Sequence, residues 1–318
     1  MKTGFIGLGN VGSKLAGSLL RNGHDLTVLD LDRSAAEPFL AKGAHWAESP
    51  AAMAAACDLV ITCLPSPAAC AAVMEGPGGL LEALGPGKVW MEMSTTDADE
   101  MARLAAKVEA TGAKALESPV SGGCHRAATG NISIFVGGDR ATFEAMMPVL
   151  TTLGRRILHT GPIGTASKLK VMTNFLATTH LVALAEALST MAAAGLDLST
   201  TYEAIRISSG NSFVHETESQ VILNGSRDID FTMGLVLKDI GLFDRIAEEN
   251  DVPLALSPML VNLFKEAIAT WGPDANSPSI IRRYEEPAGL DVRAPGFPAE
   301  MVDDEPEEPG YEVHPRRA

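Results

Sequence analysis

Met1-Lys-Thr-Gly-Phe-Ile-Gly7-Leu8-Gly9-Asn10-Val11-Gly12 opens the chain, and its reading decides the fold. Residues 2–8 are a short, mostly apolar run that predicts a buried strand. Val11, Leu15, Leu19 and Leu20 recur at helical spacing and predict a helix over 10–22. Between them lies G-x-G-x-x-G, a weak signal alone. Here it joins a strand to a helix, and Asp30 follows 18 residues after Gly12 at the end of a second predicted strand. That context is what a dinucleotide fingerprint requires. Gly7 permits the tight turn, Gly9 admits a pyrophosphate to the backbone, and Gly12 lets helix and strand pack. The helix N-terminus, with Leu8, Asn10 and Val11 in the turn, then faces the phosphate charge.

Asp30 can accept hydrogen bonds from a ribose diol and would repel a 2′-phosphate, which favours NAD over NADP. Arg33 nearby could answer that phosphate and leaves NADP as the lesser alternative. Further apolar runs at Leu26–Leu29, Leu59–Leu64, Val89–Met93, Ala115–Glu117 and Ile132–Val136 predict strands. Helical segments at 34–42, 50–56, 67–75 and 97–111 lie between most of them. This alternation means an α/β fold, a doubly wound and mainly parallel Rossmann sheet. Leu64-Pro65 and Ser94-Thr95, at strand ends, fall where such sheets bind ligands.

After Gly164 the strand signals stop. Residues 165–195 predict one long helix, and 199–208, 214–224, 232–250 and 256–270 predict further ones. The expected organisation is a nucleotide-binding domain over 1–163, an all-α substrate and dimerisation domain over 164–290, and an extended acidic, Pro-rich tail over 291–318. Residues 273–318 hold 8 of the 19 prolines and, with 11 Asp+Glu against 5 Lys+Arg, supply −6 of the net charge of −15. Such a segment should lack its own core. It is either a disordered solubilising tail or an arm over a neighbouring subunit, gripped by Phe297, Met301 and Tyr311.

Lys170 and Asn174 stand four residues apart within Gly161-Pro-Ile-Gly-Thr-Ala-Ser-Lys-Leu-Lys170-Val-Met-Thr-Asn174. Positions i and i+4 share a helix face, so an amine and a carboxamide point at one spot. An amine drawn into a low-dielectric site can be tuned to move protons near neutral pH. Lys168, the rival, lies on another face. Ser118-Pro-Val-Ser121-Gly122-Gly123 offers a hydroxyl and consecutive backbone N–H groups suited to a carboxylate. Phe231 precedes Leu237-Lys238-Asp239-Ile240 in an apolar helical stretch.

In this order and spacing the chain resembles the β-hydroxyacid dehydrogenase family over about residues 2–290. The resemblance implies that Lys170 is the catalytic acid/base and that Asn174 positions the substrate. It implies that Ser121, Gly122 and Gly123 hold the substrate carboxylate, and that Lys238 contacts the cofactor side with support from Asp239. The expected reaction interconverts a short β-hydroxy acid and its semialdehyde or keto form. Where the family has small residues after Ser-Gly-Gly, this chain has Cys124-His125-Arg126. Arg126, with His125, suggests a substrate carrying a second carboxylate or a sulfonate. An imine reductase of similar fold, or a non-catalytic NAD-binding protein, are the other function classes; their members replace or lose the lysine. In the related 6-phosphogluconate dehydrogenases a C-terminal segment reaches a neighbouring active site, and His314, Arg316 and Arg317 end the arm here.

The bulk composition sets limits. A net charge of −15 argues against nucleic acid or an anionic membrane as partner. Cys57, Cys63, Cys70 and Cys124 form no CxxC pair and no zinc spacing, so no metal site is expected. The apolar run Val171–Leu196 contains Asn174, His180 and Glu186, costly in lipid, and is expected to be a core helix with His180 inside. The N-terminus runs directly into a strand, leaving no room for a signal peptide. A cytoplasmic homodimer or homotetramer acting on a small anionic substrate is the expectation.

Overall fold

The computed structural model describes residues 1–316; Arg317 of the expected cationic end lies outside them. Contacts divide the chain into two compact units, Met1–Lys170 together with the segment from Asp303, and Val171–Val302.

The first unit runs β1 (Lys2–Ile6), α1 (Asn10–Arg21), β2 (Asp25–Leu29), α2 (Glu37–Leu40), β3 (His45–Trp46), α3 (Pro50–Ala56) and β4 (Leu59–Thr62). It continues through α4 (Pro67–Glu75), β5 (Val89–Glu92), α5 (Ala98–Ala110), β6 (Lys114–Glu117), β7 (Val120–Ser121) and α6 (Gly123–Ala128). Then come β8 (Ser133–Gly138), α7 (Arg140–Leu153), β9 (Arg156–Gly161) and α8 (Thr165–Ala193). Several helices start where short polar side chains satisfy free N–H groups. Ser49, Ser66 and Asp97 cap α3, α4 and α5, with proline in the first turn of α3 and α4.

The sheet order is β9-β8-β6-β5-β4-β1-β2-β3, with β7 paired to β8. Strands β1 to β6 are parallel, with Thr3 opposite Leu26 on one side and Leu59 on the other. Strand order therefore reverses at β1, placing the Gly7 turn and the end of β4 at the switch point. β4 and β5 are buried along their whole length, as strands covered by helices on both faces must be. β8 turns antiparallel to β6. This is the α/β Rossmann sheet that the alternation predicted.

The second unit is helical: the body of α8, α9 (Leu198–Arg206), α10 (Phe213–Asn224), α11 (Met233–Glu249), α12 (Leu256–Trp271) and α13 (Arg282–Ala288). By length and composition α8 is apolar enough to cross a membrane. Its Leu181, Ala185 and Leu188 instead pack with Ile222, Met233, Ile240 and Phe264 in the helical core. His180 corrects the expectation, since its side of the helix is exposed.

The tail adds to the two units in turn. A 3-10 turn at Ser277–Ile281, begun by Pro278, buries Ile280 and Ile281 completely. Beyond α13, Val292 is buried, Ala294 N–H donates to Leu223 O, and Phe297 packs edge-on against Tyr202 at 5.0 Å. From Asp303 the chain rejoins the first unit, where β10 (Tyr311–Glu312) adds a parallel edge strand beside β9. The acidic run has partners rather than only solvent. Glu307 meets Arg21, Glu308 meets Arg155, and Glu312 makes a two-pronged contact with Arg140. Tyr311 lies 5.8 Å under the Arg155 guanidinium. Phe297 and Tyr311, expected as grips on a neighbour, are used within the chain.

Candidate functional site

The three fingerprint glycines are distinguished by what a side chain would meet. Gly7 has φ +97°, and a Cβ there would lie 2.2 Å from Cys63 O, because the turn after β1 lies against the end of β4. A Cβ on Gly12 would lie 2.0 Å from Gly7 O, so α1 could not sit on the turn. At Gly9 nothing lies within 4 Å of an added Cβ. No protein contact excludes a side chain at Gly9, so its bareness is explained by a ligand that approaches the backbone. Leu8 N–H donates to Asp30 Oδ2 at 2.6 Å and Asp32 N–H to Asp30 Oδ1 at 2.9 Å. The glycine turn thus orients the carboxylate expected to read the ribose. Arg33 is engaged elsewhere, 4.8 Å over the Trp46 ring and 3.9 Å from Glu48. Asn10 is exposed and Val11 half-buried at the start of α1.

The loops after β4 and β5 are tied together from below. Leu64 N–H donates to Ser94 Oγ at 2.7 Å, and Ser94 N–H donates to Glu92 Oε1 at 2.7 Å. Thr62 Oγ1 donates to Glu92 Oε2 at 2.5 Å and accepts from Trp90 Nε1 at 2.9 Å. Burial pushes the Glu92 carboxyl up, against the opposing bonds from Ser94 and Thr62. Pro65 is exposed and Thr95 half-buried beside this network.

Ser121 ends β7, paired with Ser133, and the backbone then enters positive φ at two successive glycines, +133° at Gly122 and +85° at Gly123. Consecutive turns of this kind make an anion-receiving concavity that side-chain-bearing residues rarely adopt. The sequence leaves the following residues as loop, but they form α6. Arg126 passes over Gly122, its Cδ 3.4 Å from where a Cβ would stand, and the His125 ring covers Gly123. Burial and the neighbouring Arg126 charge lower the His125 pKa below the usual imidazole value.

Beneath this turn lies a residue that sequence reasoning missed. Glu117, at the end of β6 and 0% exposed, accepts from Ala166 N–H at 2.8 Å, Ser167 N–H at 3.2 Å and Ser167 Oγ. It fastens the first turn of α8 to the strand leading into Ser121. Gly137 is bare because a Cβ there would lie 2.2 Å from Glu117 Oε1. Burial raises the Glu117 pKa despite the donors from Ser167 and Ala166. One turn along α8, Lys170 is 8% exposed, whereas Lys168 is exposed.

In the helical unit Asn174 Nδ2 donates to Asp239 Oδ2 at 2.5 Å, and the next residue, Phe175, stacks at 4.4 Å on Phe243, one turn beyond Asp239. Lys238 Nζ lies 3.0 Å from Asp239 Oδ1, close enough for charge attraction but off the angle of a hydrogen bond. Phe231 precedes Thr232, the cap of α11, and packs against the helical core. Thus Asn174, Lys238 and Asp239 stand together, and Phe231 is partly buried against the helical core. Among the described residues no group of three His, Cys, Asp or Glu could hold a metal.

Known proteins share this sequence pattern and fold. Residues 2–161 match the family described as the NAD binding domain of 6-phosphogluconate dehydrogenase. Residues 164–284 match the NAD-binding family of NADP-dependent 3-hydroxyisobutyrate dehydrogenase. The chain is 33% identical over 293 residues to 2-(hydroxymethyl)glutarate dehydrogenase of Eubacterium barkeri, covering 92% of this chain and 97% of that one. It belongs to the β-hydroxyacid dehydrogenase family. Another β-hydroxyacid dehydrogenase, the crystal structure of 3-hydroxyisobutyrate dehydrogenase from Salmonella typhimurium, superposes with a TM-score of 0.82 at 28% identity. That match covers 89% of this chain and 99% of the other. The cytokine-like nuclear factor N-PAC of Gallus gallus is 28% identical over 283 residues, and this chain spans 51% of its length. As a β-hydroxyacid dehydrogenase the chain is an NAD(P)-dependent oxidoreductase acting on CH–OH, and the open ground before Gly9 fits the dinucleotide.

Proposed function

We propose that this chain oxidises a short β-hydroxy acid reversibly to its semialdehyde or keto form with NAD, and that Lys170 is the acid/base. The observation that carries this reading is the contrast between the two amines of α8: Lys170 is buried one turn beyond the Glu117 anchor, and Lys168 is exposed. Ser121 Oγ and the N–H groups of Gly122 and Gly123 receive the substrate carboxylate. Bound NAD supplies the hydride acceptor. Lys170 takes the hydroxyl proton during oxidation and returns it during reduction. Asn174 positions the hydroxyl, with its amide oriented by Asp239. Lys238 reaches the cofactor side. The bonds that fix Asp30 and the engagement of Arg33 with Trp46 support NAD over NADP.

Lys170→Ala should lower turnover by about 10²–10⁴-fold, the usual worth of a positioned acid/base, with NADH affinity unchanged by fluorescence titration. Equal loss of both would overturn the assignment. A second reading is favoured by the relative named for a hydroxymethylglutarate: the substrate carries a further carboxylate, read by Arg126. Arg126→Ala should then weaken dicarboxylic substrates selectively.

A further inference from the structure

The segment from Asp303 is joined to the substrate turn through α6. Arg126 Nη2 lies 3.2 Å from Glu305 Oε1, and that carboxylate's other oxygen is 3.8 Å from Arg156. Asp303 Oδ2 accepts from Asn131 Nδ2 at 2.8 Å and from Thr129 Oγ1, and Asn131 Nδ2 also donates to Glu305 O at 2.8 Å. Asp303 thereby fixes the end of the helix whose start is the Gly122–Gly123 turn. Glu307, further on, holds Arg21 and Asn22 instead.

We infer that Glu305 is a specificity-determining residue: a resident carboxylate that holds the guanidinium of Arg126 beside the substrate turn and competes there with any second anionic group of the substrate. This rests on the reading above that Ser121–Gly123 takes the substrate carboxylate. Three observations support it. The Arg126 side chain crosses Gly122, so its charge is next to that turn. The pair is part-exposed, 24% for Arg126 and 41% for Glu305, so it exchanges without the penalty of stranding a buried charge. Arg156 offers Glu305 an alternative cation when Arg126 turns to a ligand. A monoanionic substrate leaves the Arg126–Glu305 pair closed. A dianionic one has to displace Glu305.

The test uses the full chain with NAD and two competitive inhibitors of similar length, butyrate and glutarate. Glu305→Gln should tighten glutarate by about three- to fivefold, the scale of a part-exposed ion pair, and leave butyrate within experimental error. Glu307→Gln, which loosens the same segment away from Arg126, should change neither. An equal shift for both inhibitors, no shift for glutarate, or the same gain from Glu307→Gln overturns the proposal. Ser121→Ala and Arg126→Ala separate the two levels. If Ser121→Ala fails to weaken butyrate, the underlying reading of the turn is wrong. If Ser121→Ala weakens both inhibitors and Arg126→Ala weakens glutarate, but Glu305→Gln does nothing, the turn stands and the role of Glu305 is what fails.

Discussion

Removing the Glu117 carboxyl should damage both the stability of the nucleotide unit and the delivery of Lys170. Glu117→Ala leaves the Ala166 and Ser167 N–H groups, both in a buried turn, without their acceptor. An unsatisfied buried donor costs about 1–3 kcal/mol. Ser167 Oγ can rotate to another acceptor, so two backbone groups set the scale at about 2–6 kcal/mol, plus the space left by the side chain. Glu117→Gln keeps one oxygen. If that oxygen serves the two Ser167 donors, the new NH₂ faces Ala166 N–H, and the cost is that of one stranded donor, about 1–3 kcal/mol. These costs do not depend on whether Glu117 is ionised, because both forms accept. The assay is urea unfolding followed by Trp46 and Trp90 emission in a Trp271→Phe background, so that the signal comes from the nucleotide unit. A frayed first turn of α8 should also lower kcat in Glu117→Gln while NADH affinity holds. A loss below about 1 kcal/mol in Glu117→Ala, under the smallest cost of even one stranded donor, with kcat intact, would refute the anchor.

Three further outcomes follow from the same geometry. Gly12→Ala forces a Cβ to within 2.0 Å of a backbone oxygen and should prevent soluble folding, whereas Gly9→Ala meets open space, should fold normally and should lose NADH affinity by titration. Hydrogen bonds from Arg21 and Arg140 hold Glu307 and Glu312 below their usual pKa, and for Asp303 the bonds from Thr129 and Asn131 outweigh burial. Docking of this segment is therefore fully supported above the ordinary carboxylate range and is lost as pH falls through the lowered values; the protection of the Tyr311 and Val313 amides, their exchange corrected for its intrinsic pH dependence, should fall in acid and hold in mild base. Burial pushes Glu218 up to about 7 against its contact with Ser277, so the native state is penalised as pH rises from the ordinary glutamate value toward 7. Glu218→Gln should stabilise the helical unit at pH 8 by about 1–3 kcal/mol, discounted for its partial solvent contact, and have little effect at pH 4.5; equal effects at both would refute it.

The Rossmann half was legible because its signals are local. An apolar run, three glycines and a capped helix sit within a few residues of one another. Lys170 was legible as a buried amine because its neighbour Lys168 falls on another face. What escaped is what depends on long-range closure. Glu92 and Glu117 end apolar strands and look like edge residues that reach solvent. Only the register that pairs β5 with β6 puts both at the centre of the sheet, under Ser94 and α8. β9 is mixed in polarity and β10 is only two residues long, so β9 owes its form to β8 and β10 owes its form to β9. The acidic segment defeats compositional reasoning for the same reason. Its charges spell disorder until Arg21, Arg126, Arg140 and Arg155, all more than a hundred residues away, are found alongside.

The nucleotide unit leaves off at Lys170 and resumes at Asp303. During synthesis its last strand therefore follows the whole of the other unit, and every helix of that unit is translated before this edge can close. Until then β9 presents an unpaired backbone edge, a site for wrong pairing that a released chain must cover itself. Cutting the chain before Tyr311 is thus a change to the cofactor-binding half of the enzyme, although 132 residues of helical unit separate the two pieces in sequence.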